Sequence, residues 1–472
     1  MTINSIFYGR ARVIHFVGIG GIGMSGIAEI MLSSGLEVHG SDLNENDNIR
    51  NLRTRGAIIQ IGHHSHHVQD ADVLVISSAI KPNNPEVLEA HLRNIPVISR
   101  AQMLAELMRL QYGIAISGSH GKTTTTSLVA TMLQHAQLDP TVIIGGKVNQ
   151  LGSNAMLGQG PFLVAEADES DGSFLLLSPS IAVITNIDPE HLDYWKGGIN
   201  QLKKEFSNFA NKLPFFGLCV AGTDSEHVRA ILPGINRRFV TYAIENPADY
   251  TAVDIKHVGL NTHFSVFKHG NLLGNICLHL VGRHNVQNAL AAIAVGDELG
   301  IPFSAMAQTL ADFQGVQRRF TLVGQVKDIT VIDDYGHHPV EIDAVLCAAK
   351  VTFPGRRIAV LFQPHRYTRT FHLFHEFKNA FGAADIAILS DIYSAGESKI
   401  EGISSEKLAA ACQQEGFSQV QYGGSLENAT KTIAQLSKAG DVIITLGAGS
   451  ITHSAPQLVE MISASHRDIT TA

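Results

Sequence analysis

Apolar residues recur along this chain in short unbroken runs more often than in alternation. The segments Arg12–Val17, Asp72–Ser77, Gly113–Ser117, Phe162–Glu166, Ile181–Asn186, Ile329–Asp333, Ile358–Phe362, Ile386–Asp391 and Val442–Leu446 are rich in Val, Ile and Leu, and helical patterns alternate with them. Unbroken apolar strands are expected where helices cover both faces of a sheet, so the pattern predicts an α/β protein with mostly parallel sheets. Tyr250–Leu280 reads differently. It alternates apolar and polar residues around a His269-Gly270-Asn271 turn, which predicts an antiparallel excursion. Glycine-rich turns follow strands at 18–23 and 118–121, and a weaker one at 447–449 lies at the end of its unit rather than its start. The expected organisation is three domains: a Rossmann-like one over 1–105, a central P-loop one over 106–315 that carries the antiparallel portion, and a second Rossmann-like one over 316–472.

Composition narrows the class. The 472 residues are 45% hydrophobic and 17% charged, enough apolar material for several cores and too much for a disordered chain. The 43 acidic residues against 35 basic ones leave a formal charge of -8, which argues against a nucleic-acid-binding face. A small anion held by backbone N–H groups remains open. Cys219, Cys277, Cys347 and Cys412 are widely spaced, so neither a disulfide framework nor a structural zinc site is expected, and a reducing interior is the natural compartment. Met1–Arg12 lacks the apolar run of a signal peptide, and no apolar stretch reaches the roughly 18–20 residues that span a bilayer. A cytoplasmic protein without membrane insertion is expected.

The candidate chemistry begins in two loops. Gly18-Ile19-Gly20-Gly21-Ile22-Gly23 follows a strand and precedes the helical pattern Met24–Ser34, with Asp42 after the next strand, near the ~20-residue offset of a dinucleotide fingerprint. Glycines there let the backbone approach a pyrophosphate at a helix N-terminus, and Asp42 can accept from a ribose hydroxyl. The motif alone does not separate a nicotinamide dinucleotide from a nucleotide sugar. Gly118-Ser119-His120-Gly121-Lys122-Thr123 carries the Gly-Lys-Thr end of a P-loop, without the full gap between its glycines, ahead of a helix running through Leu133. Its backbone donors would cradle phosphates, Lys122 would neutralise the β and γ oxygens, and the Thr123 hydroxyl would ligate Mg²⁺, which makes ATP the expected ligand.

Glu166, closing its strand, is the expected second Mg²⁺ ligand, whereas Glu169 and Asp171 are expected to form a solvated acidic loop. Asp188-Pro189 reads as an N-cap and first helical residue. His191 has no such explanation and is a candidate for a second cation or for the γ-phosphate. Asn285 is expected to cap the helix Asn285–Leu299, while Asn288, inside it, needs another reason. Arg366 and Arg369 stand three apart at a strand-to-helix junction, where two guanidinium forks suit one carboxylate.

Together these segments resemble the Mur ligases, ATP-dependent amide-forming enzymes of peptidoglycan precursor synthesis. The likeness is carried by Gly118–Thr124 (GSHGKTT), Glu166, Asn186–Asp193 (NIDPEHLD), Arg283–Asn288 (RHNVQN), Arg319 and Asp334, and His15–Ala28 (HFVGIGGIGMSGIA) extends it over nearly the whole chain. Asp333–Pro339 (DDYGHHP) and Gln363–Thr370 (QPHRYTRT) are most similar to members that join L-alanine to the lactyl carboxylate of UDP-N-acetylmuramate through an acyl phosphate. The resemblance implies that Gly18, Ile19, Gly20, Gly21, Ile22, Gly23 and Asp42 hold the UDP-sugar. It implies an ATP site of Gly118, Ser119, His120, Gly121, Lys122, Thr123, Thr124, Asn285, Asn288 and Arg319. Thr123, Glu166 and His191 would hold Mg²⁺ as a pair of ions, with Mn²⁺ an acceptable substitute, and Lys122, His191, Arg319 and Asp334 would be catalytic. Tyr335, His337, His365, Arg366 and Arg369 would form the amino-acid side, in a monomer or weak homodimer.

Two features stand apart. Ser450 follows Gly447-Ala448-Gly449 where relatives often carry a carboxylate, so that loop is assigned no chemistry. His63-His64-Ser65-His66-His67 fits no closed tetrahedral metal spacing and is expected to be a polar surface loop. Two other classes remain as rivals. A dehydrogenase built on the first loop leaves Lys122, Thr123 and Glu166 unexplained, and a P-loop regulatory ATPase would hydrolyse ATP regardless of small substrates.

Overall fold

The computed structural model describes residues 11–77, 79–144, 155–190, 192 and 194–464. Three sheets organise them. The first holds β1 (Val13–Val17), β2 (Glu37–Asp42), β3 (Ile58–Ile61), β4 (Val73–Ile76) and β5 (Val97–Ser99) in the order β3-β2-β1-β4-β5, with every neighbouring pair parallel. The order reverses between β1 and β4, and such a switch point opens a crevice at the carboxyl ends of the strands.

The second sheet is built from β6 (Tyr112–Ser117), β7 (Thr141–Ile143), β8 (Ala155–Met156), β9 (Phe162–Glu166), β10 (Ile181–Ile184), β11 (Leu218–Gly222), β12 (Phe239–Ala243), β13 (Tyr250–Val258), β14 (Asn261–Lys268) and β15 (Asn271–Leu278). Its order is β15-β14-β13-β12-β11-β10-β6-β9-β7-β8, with β6 parallel to both β10 and β9. Two-residue turns join β13 to β14 and β14 to β15, a connection open only to antiparallel neighbours. The expected turn at His269-Gly270 is the second of these, and both residues have positive φ, as a primed hairpin turn requires.

The third sheet holds β16 (Thr321–Val326), β17 (Ile329–Asp334), β18 (Ile358–Phe362), β19 (Ile386–Ser390), β20 (Val420–Gly424) and β21 (Val442–Leu446) in the order β16-β17-β21-β18-β19-β20. It is parallel except for the edge pair of β16 with β17. Every apolar run named above is a strand, its ends shifted by at most two residues. The unbroken apolar pattern has the expected cause: Ile114, Ala115 and Ile116 of β6 are fully buried in succession, with cover on both faces.

The chain clusters into two compact units, one of residues 1–255, 264–277 and 285–314, the other of 256–263, 278–284 and 315–472. In the first unit one apolar core runs from Ile27 and Met31 of the helix Ile22–Ser33, through Met103 and Leu107, to Leu163 and Phe174, and a smaller one holds Val17, Leu74 and Val87. In the second unit Ile332, Val360 and Ile444 belong to one core and their chain neighbours Val331, Leu361 and Ile443 to another, the alternation of a sheet buried on both faces. Among the described residues no helix is long and apolar enough to cross a membrane.

Candidate active site

Strand β6 delivers the chain into the second glycine loop, and the helix Lys122–His135 carries it away. Glycine is required twice. Gly118 has φ +134° and a Cβ there would collide with Thr185 Oγ1; Gly121 has φ +82° and would drive a Cβ into Asn288 Oδ1. The turn after β10 grips the loop. Thr185 Oγ1 donates to His120 O at 2.6 Å, His120 N donates to Asn186 Oδ1 at 2.8 Å, and Ser119 N donates to Asn186 O at 3.1 Å. Asp188 belongs to this grip: its N–H donates to Ser119 Oγ at 2.8 Å and its carboxylate lies 3.1 Å from His120 Nε2. The expected N-cap at Asp188 is not formed, because the following helix begins only at Gly198. A local Asp-Pro signal gives way to the loop that β10 brings alongside.

Lys122 folds its side chain back over its own loop. Nζ donates to Gly118 O at 2.6 Å, to Ser119 O at 3.3 Å and to Glu169 Oε2 at 2.7 Å. Glu169 is therefore not part of a solvated loop. It is 1% exposed, its carbonyl accepts from the buried Trp195 Nε1 at 3.1 Å, and its Oε1 is buried with no hydrogen-bond partner among the described residues. Burial alone would lower the Lys122 ammonium, but the carboxylates of Glu169 and Asp168 outweigh it and hold it above the usual lysine range. The same burial raises the Glu169 carboxyl, against the pull of Lys122. Asp171 is exposed as expected and accepts from Ser173 N at 2.9 Å.

Glu166 ends β9 in register with Ile116 of β6, one strand from the loop, and Thr123 and Thr124 lie in the first turn of the helix that follows it. Hydroxyl and carboxylate oxygens are the donors Mg²⁺ takes, and Glu169 Oε1 is a further buried acceptor with no hydrogen-bond partner among the described residues. The residues fit the ion. His191, and the side chain of Ile22, lie outside the described residues.

The helix Arg283–Glu298 starts two residues ahead of Asn285, so Asn285 sits inside its first turn and is not the cap. The chain enters through Gly282 at φ +96°, and the two asparagines pair with each other, with Asn288 reaching the P-loop helix. Asn288 Nδ2 donates to Asn285 Oδ1 at 3.1 Å, and Asn288 Oδ1 accepts from Thr125 Oγ1 at 3.2 Å. That buried contact supplies the reason the sequence withheld for an asparagine in mid-helix.

In the second unit, β17 ends at Asp333 and Asp334. Asp334 accepts from Phe320 N at 2.7 Å and from Gly336 N at 2.6 Å, which pins the turn. Burial pushes its carboxyl up to about 6, with Arg319 pulling the other way. The Tyr335 ring lies near two guanidinium groups, Arg318 at 4.9 Å and Arg319 at 5.3 Å. Arg319 is also 3.7 Å from Glu341, which accepts from His337 N at 3.0 Å and His338 N at 3.2 Å.

Sequence reasoning missed Glu341 and Arg318. Glu341 has a local signal, a capping box spelled His338-Pro339-Val340-Glu341. Arg318 has none: it reaches Asp333 at 3.3 Å and the Gly447 carbonyl, far along the chain. Burial lowers His337 to about 3. Its Nδ1 is 3.0 Å from Tyr335 O, so Nδ1 carries the proton and Nε2 is left to accept. Burial first, then Arg369 and Arg366, lowers His365 to about 4. Its ring stacks on Tyr393 and its Nδ1 accepts from Arg369 at 3.2 Å. Arg366, at φ +72° just before the helix Tyr367–His372, turns toward Glu397 at 4.0 Å. Ser450 accepts from Gln363 at 3.3 Å and closes its loop.

The first glycine loop spends its leading donors internally. Gly18 N and Ile19 N donate to Ser41 O at 2.8 and 3.1 Å, Gly20 N to Asp42 Oδ2 at 2.9 Å, and Gly21 N to Gly18 O at 3.3 Å. Asp42 thus anchors the loop through Oδ2, and the Ile19 side chain is core. The first bond of the helix Ile22–Ser33 runs from Ser25 N to Gly21 O, so the N–H groups of residues 22–24 are those a helix end offers to an anion. Arg100, missed from sequence, packs against Gly23 where a guanidinium suits a diphosphate. The histidine run is also more than a surface loop: His63 and His67 turn inward onto Glu86, which is fully buried and needs donors.

Residues 13–112 match the Mur ligase family catalytic domain, 116–296 the Mur ligase middle domain and 318–449 the Mur ligase glutamate ligase domain. The chain is 53% identical over 447 residues to a UDP-N-acetylmuramate–L-alanine ligase of Geobacter sulfurreducens, covering 95% of this chain and 97% of that one. It is 52% identical over 455 residues to the enzyme of the same name from Pelobacter propionicus, covering 96% and 99%. Among solved structures, the UDP-N-acetylmuramate-alanine ligase MurC from Thermotoga maritima matches with a TM-score of 0.80 at 30% identity, covering 96% of this chain and 99% of that one. A murein peptide ligase from Psychrobacter arcticus matches with a TM-score of 0.70 at 26% identity, over 96% and 99%.

Proposed function

The chain belongs to the Mur ligase family, and from that premise we propose that it is the cytoplasmic ligase joining L-alanine to UDP-N-acetylmuramate at the expense of ATP in peptidoglycan precursor synthesis. The lactyl carboxylate attacks the γ-phosphorus of ATP, the bond to the β-phosphate oxygen breaks, and ADP leaves with an acyl phosphate formed. The amine of L-alanine then attacks the acyl carbon, and the tetrahedral intermediate expels inorganic phosphate as the amide forms.

Lys122 and the N–H groups of the 118–121 loop balance charge on the transferring group. Thr123 and Glu166 are the residues that would hold Mg²⁺, with His191 the candidate for a second ion; a bound ion supplies charge neutralisation at the phosphate oxygens. The N-terminus of the helix Ile22–Ser33, with Arg100, receives the diphosphate of the sugar nucleotide. Arg319, Tyr335, Arg366 and Arg369 are assigned to nucleotide and amino-acid recognition. His337 and His365, kept neutral by burial, accept hydrogen bonds without adding charge.

The observation that carries this reading is the P-loop lysine held on a buried carboxylate, within a chain whose likeness to alanine-adding ligases runs nearly end to end. The test is phosphate release with substrates omitted one at a time. Release should require UDP-N-acetylmuramate and L-alanine together. Release without either would favour a regulatory ATPase, and release with a preformed peptide but not with alanine would move the chain to a peptide-recycling role.

A further inference from the structure

Beneath the first glycine loop lies a polar cluster that the reaction does not use. Glu86 is the second residue of the helix Pro85–Leu92, its own N–H donates to the Asn84 cap, and it is 0% exposed. Donors reach it from three other elements. Oε2 accepts from His15 Nε2 of β1 at 2.9 Å and from Ser41 Oγ of β2 at 2.7 Å. Oε1 accepts from His64 N at 3.2 Å and lies 3.1 and 3.3 Å from Nδ1 of His67 and His63, in the turn after β3. Burial alone would push this carboxyl up, but the bonds from His15, Ser41 and His67 bring it down to about 2. His15 Nδ1 is buried with no hydrogen-bond partner among the described residues, which fits a neutral ring donating through Nε2. An ionised carboxylate with both oxygens occupied is a rigid joint, because each donor it holds would be left unsatisfied without it.

That joint is coupled to the loop through two adjacent residues. Ser41 gives its hydroxyl to Glu86 and its carbonyl to the N–H groups of Gly18 and Ile19, and Asp42 beside it holds Gly20. Ser41 Oγ also lies 3.0 Å from His63 Nδ1, so the end of β2 and the histidine turn share one footing.

We propose that Glu86 is a positioning residue for the sugar-nucleotide site. Its carboxylate fixes the end of β2 against the His63–His67 turn, and thereby sets how the N–H groups of residues 22–24 meet a nucleoside diphosphate. The inference rests on the proposed reading of the first loop as the UDP-sugar site.

Glu86→Gln, Ser41→Ala and, as a control on the same helix, Glu89→Gln are compared with the wild-type enzyme. The readouts are KM for UDP-N-acetylmuramate, ATP and L-alanine, calorimetric binding of UDP, and thermal melting. Glu86→Gln should raise KM for the sugar nucleotide about tenfold and Ser41→Ala about threefold, with KM for ATP held within about twofold. Glu89→Gln, whose partner is the surface Arg93, should change nothing. A parallel rise for all substrates, or an unchanged sugar-nucleotide KM in both variants, overturns the proposal. If Glu86→Gln does not fold, Ser41→Ala decides alone, since it removes one bond and leaves the carboxylate in place. Wild-type protein that binds no UDP would bring down the site reading itself, whereas equal UDP binding by wild type and Glu86→Gln removes only the role of Glu86.

Discussion

Each glycine loop of the first unit has a buried glutamate beside it, and the two glutamates are built in opposite ways. Glu86 is saturated, with donors on both oxygens and its carboxyl brought down to about 2. Glu169 holds one lysine on one oxygen, leaves the other without a partner among the described residues, and has its carboxyl raised by burial. The contrast follows the work proposed for each loop. The first loop offers backbone N–H groups at a helix end, which need only a fixed platform. The second offers a side chain that must trade Gly118 O, Ser119 O and Glu169 for phosphate oxygens, so its counter-charge is left open to exchange. A saturated carboxylate makes a foundation; an under-satisfied one makes a relay.

The largest expected break in this comparison is Lys122→Ala. Phosphate release should fall about a thousandfold or more, while calorimetry with UDP should find the first loop unaltered; retained turnover would remove the lysine from the chemistry. Next is Gly121→Ala, which combines a positive φ with the Asn288 amide in the way. It should cost about 2 kcal/mol in stability, visible as a lower Tm, and weaken ATP binding. Its counterpart Gly21→Ala, at φ −63° and with only ordinary contacts, should stay within about 0.5 kcal/mol of wild type.

A smaller effect is expected from Glu169→Gln. It strips the counter-charge from a partly buried ammonium and should raise KM for ATP about tenfold without changing that for the sugar nucleotide. An unchanged ATP KM would make the two glutamates equivalent bystanders. The subtlest test is acid titration of stability. The Glu86 carboxyl sits below its ordinary 4.5, at about 2, so its contribution is present above 4.5 and is lost as pH falls toward 2. Urea unfolding should show wild type losing its advantage over Glu86→Gln through that window, and parallel curves would refute it.

The fold was legible in the sequence where its cause is local. Runs such as Phe162–Glu166 and Ile358–Phe362 are strands to the residue, because an unbroken apolar run has one stable use in an α/β chain. The second glycine loop was legible for the same reason, since its motif is contiguous. What stayed hidden depends on partners far along the chain. Glu169 reads as one of several acids until Trp195 and Lys122 bury it. Asp188-Pro189 spells a helix start that the loop at Ser119 and His120 overrides. Glu86, His15 and Ser41 carry no shared motif, and the histidines that meet them looked like solvent-facing residues. Asp42 sat at the right offset, but the offset does not say that one oxygen is already committed to Gly20.

The chain has a single tryptophan. Trp195 is 3% exposed, gives its indole N–H to the backbone of the glutamate that carries Lys122, and meets Tyr194 edge-on at 4.9 Å. Its emission therefore comes from one address in the molecule. On the proposed reading, a triphosphate that draws the lysine away would change the electric field on that indole, so ATP binding should register in the intrinsic fluorescence of unlabelled protein. A sugar nucleotide bound at the first loop, as proposed, should leave the same fluorescence unchanged, a built-in means of watching the two nucleotides arrive separately.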